Sequence, residues 1–265
     1  MSLGIVFKGP EGVVLAADSR VTLTGILPTG LTVQSSYDNA TKLLKVKGQD
    51  FVGVVTFGAG SIGSAEPRTA HSFLPEFESE LAASGEERLS VEDFSTRLGS
   101  FFLDRWNAGS MPPNADPMVF FVAGFDEGSV YGRVFQVIVP GSPTPEEQNT
   151  GQFGLTFGGQ AELVQRMLGG YDPRTVEVAQ AALKLTADQA NLLRATLTQQ
   201  LGLGIPYQFL PLQDCVDLVI FLLRSTVMVH KWLVGIRGVG GAIDVATITR
   251  TDGFRAIQAK SVRGE

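Results

Sequence analysis

The sequence predicts an α+β sandwich, and three observations carry the prediction. Short apolar strands follow one another across tight turns, which is the signature of antiparallel hairpins. The helical stretches come in separate blocks and do not alternate with strands, so no doubly wound parallel sheet is expected. The 265 residues, 44% hydrophobic and 18% charged, are enough to bury a sizeable core. Internal repeats, low-complexity tracts and linkers are absent from the sequence, so residues 1–265 are read as a single domain.

The first hairpin is the most specific signal. An apolar strand from Leu3 to Phe7 meets the turn Gly9-Pro10-Glu11-Gly12, and a second apolar strand runs from Val13 to Ala17. With residues 10 and 11 at the tip, paired residue numbers sum to about 21. Leu3 then faces Asp18, and Ser2 faces Ser19. Val21 to Ala40, rich in Thr, Gly and Ser, reads as a long loop or extended excursion. Strands are expected over Thr41–Val46 and Phe51–Phe57, and a helix from about Ser64 to Ala82. A second helix begins at Ser90, whose hydroxyl suits an N-cap with Glu92 and Asp93 behind it. Further strands are expected at Met118–Gly124, Val130–Val139 and Phe153–Phe157, with a polar Pro-rich connection over Pro140–Gln152. Gln160 to Leu201 reads as two or three helical pieces, Leu212 to Val234 as the longest helix, and Ile243–Thr249 and Phe254–Ala259 as closing strands.

Composition removes several functional classes. A net charge of −6 argues against a broad nucleic-acid-binding surface. The single Cys215 excludes an internal disulfide and, in its apolar helical setting, reads as a small buried hydrophobe. The run Val216–Val234 carries Asp217, Arg224, His230 and Lys231, too many charges for a membrane span. A signal peptide is not expected, because Lys8 and Gly9-Pro10 interrupt any apolar leader. A cytoplasmic, soluble protein without nucleic-acid or membrane partners is therefore expected. The two histidines, His71 and His230, lie in predicted helices and have no Gly-x-Ser-x-Gly elbow to serve. Gly58-Ala59-Gly60-Ser61-Ile62-Gly63 spells a dinucleotide fingerprint, but no parallel strand–helix–strand unit surrounds it. As a turn ahead of a helix, its backbone N–H groups could still hold an oxyanion.

Strand alternation puts Lys42 on the same face as Leu44 and Val46. An ammonium there either escapes to water at the strand end or needs a buried carboxylate, and Asp18 is the candidate. Such a pair can be purely structural or part of a catalytic group. Ser2 bears on the choice. Removal of Met1 would make it the first residue, with a hydroxyl beside an α-amine whose pKa of about 8 leaves much of it neutral. A nearby Lys42 would depress that amine and steady an oxyanion, while Asp18 would hold Lys42 charged. The plainer alternative is that Met-Ser is simply how the chain begins.

The segments Ser2–Lys8, Gly12–Arg20 and Thr41–Leu44 resemble the opening of proteasome β-subunits and the bacterial peptidase HslV, and in overall character the chain is similar to divergent bacterial proteasome homologues. The resemblance implies a four-layer α-β-β-α sandwich of two antiparallel sheets, the N-terminal nucleophile hydrolase fold. It assigns Ser2 as nucleophile, Asp18 and Lys42 as its catalytic partners, Arg20 as a supporting residue and Gly60 as the oxyanion glycine. Gly240-Gly241 is similar to the family's closing glycine pair. The family's usual nucleophile is Thr. Its supporting Ser is replaced within Gly158-Gly159-Gln160, and Ile236 and Val239 stand where an Asp and a Ser are usual. The implied activity is peptide-bond hydrolysis without metal or organic cofactor, in a homo-oligomeric ring that admits peptides or unfolded polypeptide, with an ATP-dependent unfoldase as a candidate partner. A catalytically inactive ring protein and a small-molecule amidase of the same fold are the alternatives.

Overall fold

In the computed structural model of the chain, which describes residues 2–26, 29–64, 66–235 and 237–261, the opening hairpin is built as its sequence directs. Gly9 N–H donates to the Gly12 carbonyl at 2.9 Å and closes the turn. Strand β1 (Leu3–Lys8) pairs antiparallel with β2 (Val13–Asp18), Gly4 opposite Ala17 and Val6 opposite Leu15. Every residue of both strands is buried, which explains the unbroken apolar runs Leu3–Phe7 and Val13–Ala17, each closed by one charged residue, Lys8 and Asp18.

A second hairpin, β3 (Val21–Ile26) and β4 (Thr32–Tyr37), follows, and then β5 (Leu43–Leu44) and β6 (Val52–Gly58). Helices α1 (Leu74–Ala83) and α2 (Val91–Ala108) lead to β7 (Met118–Gly124), β8 (Arg133–Val139), β9 (Ser142–Gln148) and β10 (Gly154–Gly159). After α3 (Glu162–Gly169), α4 (Arg174–Leu183) and α5 (Ala187–Leu201), the long α6 (Leu212–Trp232) precedes β11 (Ile243–Thr249) and β12 (Gly253–Gln258). The chain groups into two compact units, one of residues 160–206 and one of the remainder. In the smaller unit, α3, α4 and α5 form a helical cluster, with Thr186 and Gln189 making a reciprocal capping box at the start of α5.

The larger unit is a four-layer α-β-β-α sandwich. One sheet has the order β10-β1-β2-β11-β12, the other β5-β6-β7-β8-β9, and all neighbours are antiparallel. Val6, Leu15, Val55, Phe57, Phe121 and Ile248 fill the space between the sheets. Phe77, Phe94, Phe101 and Phe102 pack α1 and α2 against Phe120 and Val137 of the second sheet. Each such phenylalanine contributes about 2–3 kcal/mol of burial. Cys215, Val219 and Leu223 form the inner face of α6, which covers β1, β2 and β11. The tip of the first hairpin also caps that helix: Glu11 Oε2 accepts a hydrogen bond from Leu212 N at 2.8 Å.

Four expectations change in detail. Residues 21–40 hold the β3–β4 hairpin, since the β-branched Thr and Val residues there favour extended pairing over the loop that their Gly and Pro neighbours suggest. The Pro-rich connection contains β9, and Pro143 and Pro145 are tolerated because β9 is an edge strand with one unpaired side. The helix expected from Ser64 begins as a 3₁₀ turn at Ala70–Phe73 and becomes α-helical only at Leu74. Around Lys42 only Leu43–Leu44 is a strand, although the Lys42 carbonyl still accepts from Thr56 N at 2.9 Å.

Candidate active site

Asp18 ends β2 and is fully buried. Its Oδ1 accepts from the Leu3 amide at 3.0 Å and from the Lys42 ammonium at 2.7 Å. Its Oδ2 accepts from the Arg20 amide at 3.2 Å and the Gly240 amide at 2.9 Å. The carboxylate thereby ties together the first strand, the end of the second, the Lys42 segment and the closing glycine pair. Four donors on a single desolvated anion meet the condition under which a buried charge is tolerated.

Lys42 is 5% exposed and also donates to the Arg20 carbonyl. Burial pushes its pKa below the ordinary lysine value. Asp18 opposes that shift, and the more distant charges of Lys260 and Arg20 add to it. The ammonium is thus held in place by one carboxylate and one carbonyl.

Ser2 is 4% exposed and sits beside this pair. Ser2, Lys42, Thr56, Gly60 and Met118 are among the residues lining a cavity of about 20 Å³, room for one water molecule. Gly60 enters the wall because no side chain fits: a Cβ there would stand 2.5 Å from a Val21 methyl. Across the sheet, Leu3 pairs with Gly159, whose φ of +91° suits glycine alone. A Cβ on Gly159 would lie 1.9 Å from the Ser2 carbonyl oxygen.

Arg20 takes part by its backbone, and its side chain is engaged elsewhere. The guanidinium forms a two-pronged pair with Asp38, 2.5 Å from Nε to Oδ1 and 2.8 Å from Nη2 to Oδ2. The hydrogen bond from Arg20 holds the Asp38 carboxyl below the usual carboxylate range and raises Arg20 in turn. The single Ser19 hydroxyl hydrogen is shared between the Asp38 carbonyl at 2.7 Å and the Ala242 carbonyl at 2.8 Å, which ties the same loop to the residue ahead of β11.

All five residues singled out from the sequence therefore fall in one region. Ser2, Lys42 and Gly60 line the cavity, Asp18 lies directly behind Lys42, and Arg20 contributes main-chain atoms. Sequence reasoning missed Asp38 and Thr56. Asp38 carried no signal beyond an Asp-Asn turn. Thr56 was detectable as a polar interruption of the row Val52, Val54, Thr56 on one face of β6. Val239 is buried where a serine was sought, and Ile236 and Met1 lie outside the described residues. Among the described residues, no group of three or more His, Cys, Asp or Glu side chains is placed to hold a metal ion.

No family model and no curated protein matches the sequence. Solved structures do resemble it. Two of them are Anbu structures. Anbu (ancestral beta-subunit) from Yersinia bercovieri superposes with a TM-score of 0.59 at 15% identity, covering 96% of this chain and 86% of that one. The Anbu (Gly-1) mutant from Hyphomicrobium sp. strain MC1 gives 0.58 at 14%, covering 98% and 86%. This corrects the family assignment drawn from the opening residues, which pointed to proteasome β-subunits and HslV. The likeness that stands is to the Anbu fold, and at this identity it is one of fold alone. The physical reason is that burial pattern and strand register persist through replacement of most side chains, while short motifs in a shared β1–β2 geometry are too few residues to mark a family.

Proposed function

We propose that this chain is an N-terminal nucleophile amide hydrolase acting on peptide bonds within a homo-oligomeric, ring-like assembly. One observation carries the reading: a fully buried Asp18 holds the Lys42 ammonium at 2.7 Å, and Lys42 and Ser2 line the same small cavity. The Anbu-like fold and the glycine turn at Gly60 support it.

In this reaction Met1 is removed and the Ser2 α-amine becomes free. The neutral amine takes the proton of Ser2 Oγ as that oxygen bonds to the substrate carbonyl carbon. The Lys42 charge lowers the amine's pKa, and backbone donors at the Gly60 turn receive the oxyanion. The resulting ammonium gives its proton to the leaving amine as the C–N bond breaks. Water then hydrolyses the ester, returning Ser2 and releasing the acid.

The expected outcome is an intact mass lacking Met1 and covalent labelling by a β-lactone or vinyl sulfone that Ser2→Ala abolishes. A retained Met1, or labelling that survives Ser2→Ala, sinks the mechanism. The water-sized cavity favours a second reading, a catalytically silent assembly protein in which Asp18 and Lys42 are structural. That reading expects no labelling even after Met1 is removed.

A further inference from the structure

Thr56 breaks the apolar row that β6 presents to the helix side of its sheet, where Val52 and Val54 precede it. It is 6% exposed, and among the described residues its hydroxyl finds no hydrogen-bond partner. A buried hydroxyl without a protein partner is destabilising, so a valine would pack there at lower cost. The hydroxyl lines the same cavity as Ser2 and Lys42. Lys42 has three donor hydrogens, of which Asp18 and the Arg20 carbonyl take two. One water-sized space thus meets an ammonium with a hydrogen to spare, a hydroxyl able to donate and accept, and the Ser2 side. Those are the partners that a buried water needs.

We propose that Thr56 is a positioning residue that fixes one ordered water against the Lys42 ammonium on the Ser2 side of the cavity. This rests on the proposed function for its catalytic consequence, but not for the water site itself. The water accepts from Lys42 Nζ and exchanges a hydrogen bond with Thr56 Oγ1, so that the ammonium is solvated inside the fold. The other charges facing Lys42 are Asp18 and Asp38, which favour its protonated form, and Arg20 and Lys260, which disfavour it. Removing the hydroxyl takes away a solvating group, and the ammonium then loses its proton at lower pH.

The test compares Thr56→Val with Thr56→Ser. In a high-resolution crystal structure of the Ser2→Ala protein, an ordered water is expected within about 3.2 Å of both Thr56 Oγ1 and Lys42 Nζ. It should vanish in Ser2→Ala/Thr56→Val while that protein remains folded. A cavity without that water overturns the proposal whether or not the wild type cleaves anything. With a fluorogenic peptide, Thr56→Val should lower kcat on the order of tenfold with KM little changed. It should also move the alkaline limb of the pH profile to lower pH, and Thr56→Ser should restore both. An unshifted profile with full kcat in Thr56→Val refutes the positioning role. Failure of the wild type to cleave peptides would defeat the proposed function while leaving the crystallographic outcome decisive.

Discussion

Asp18 and Arg20, two residues apart, show how differently buried and exposed charge behaves in this chain. Asp18 is sealed and saturated with donors, so removing it leaves Lys42 as an uncompensated buried cation. Asp18→Ala is expected to cost about 3–5 kcal/mol in chemical denaturation. A loss below about 1 kcal/mol would mean that the pair is solvated in solution. The Arg20–Asp38 pair is open to water, with the Asp38 side chain 47% exposed, so its worth is capped near about 1 kcal/mol. Its sign with pH follows from the lowered folded-state pKa of Asp38. The stabilisation is fully present above the ordinary value of 3.8 and is lost as pH falls below it through the folded-state value. Asp38→Asn should therefore flatten part of the acid limb of the stability curve and leave stability near neutral pH within that small range. An acid limb identical to that of the wild type would rule this pair out as a contributor.

Among the elements, β1 and β2 were the most legible, because a four-residue turn sets their register within a single stretch of chain. The face assigned to Lys42 from alternation also led correctly to a buried carboxylate. The β3–β4 hairpin was less legible, since its Thr-rich strands and Gly/Pro punctuation give opposing local signals. The edge position that admits the prolines of β9 depends on sheet order, which no local pattern states. The left-handed backbone of Gly159 on β10 lets the strand pass within contact of the Ser2 carbonyl. Gly159→Ala should destabilise the protein by more than about 2 kcal/mol, with φ strain and the collision acting together. Any hydrolytic activity should fall further than stability alone accounts for, because Ser2 is the residue displaced. A Gly159→Ala protein as stable as wild type in urea would show that β10 is not held against Ser2 as described.

For the whole molecule, the proposed enclosure makes the plainest prediction. Sedimentation at micromolar concentration should show a defined species much larger than the 28.3 kDa chain. A monomer would remove the enclosure and favour a small-molecule amidase or an unassembled protein. No described helix is long and apolar enough to cross a membrane, and the long α6 instead buries Cys215, Val219 and Leu223 against its sheet.

Residues 1–20 alone were sufficient to direct a carboxylate back to the second residue, because hairpin register is a local property of turn position and length. The α+β class was likewise readable, since each strand and helix announces its own period. The convergence of Gly240, Arg20 and Lys42 on Asp18 belongs to the folded state, as does the capture of Arg20 by Asp38. So does the seating of Thr56 in a cavity beside Ser2. These meetings join segments up to 222 residues apart, as between Asp18 and Gly240. At such separations only the packing of whole layers brings the partners within hydrogen-bonding distance.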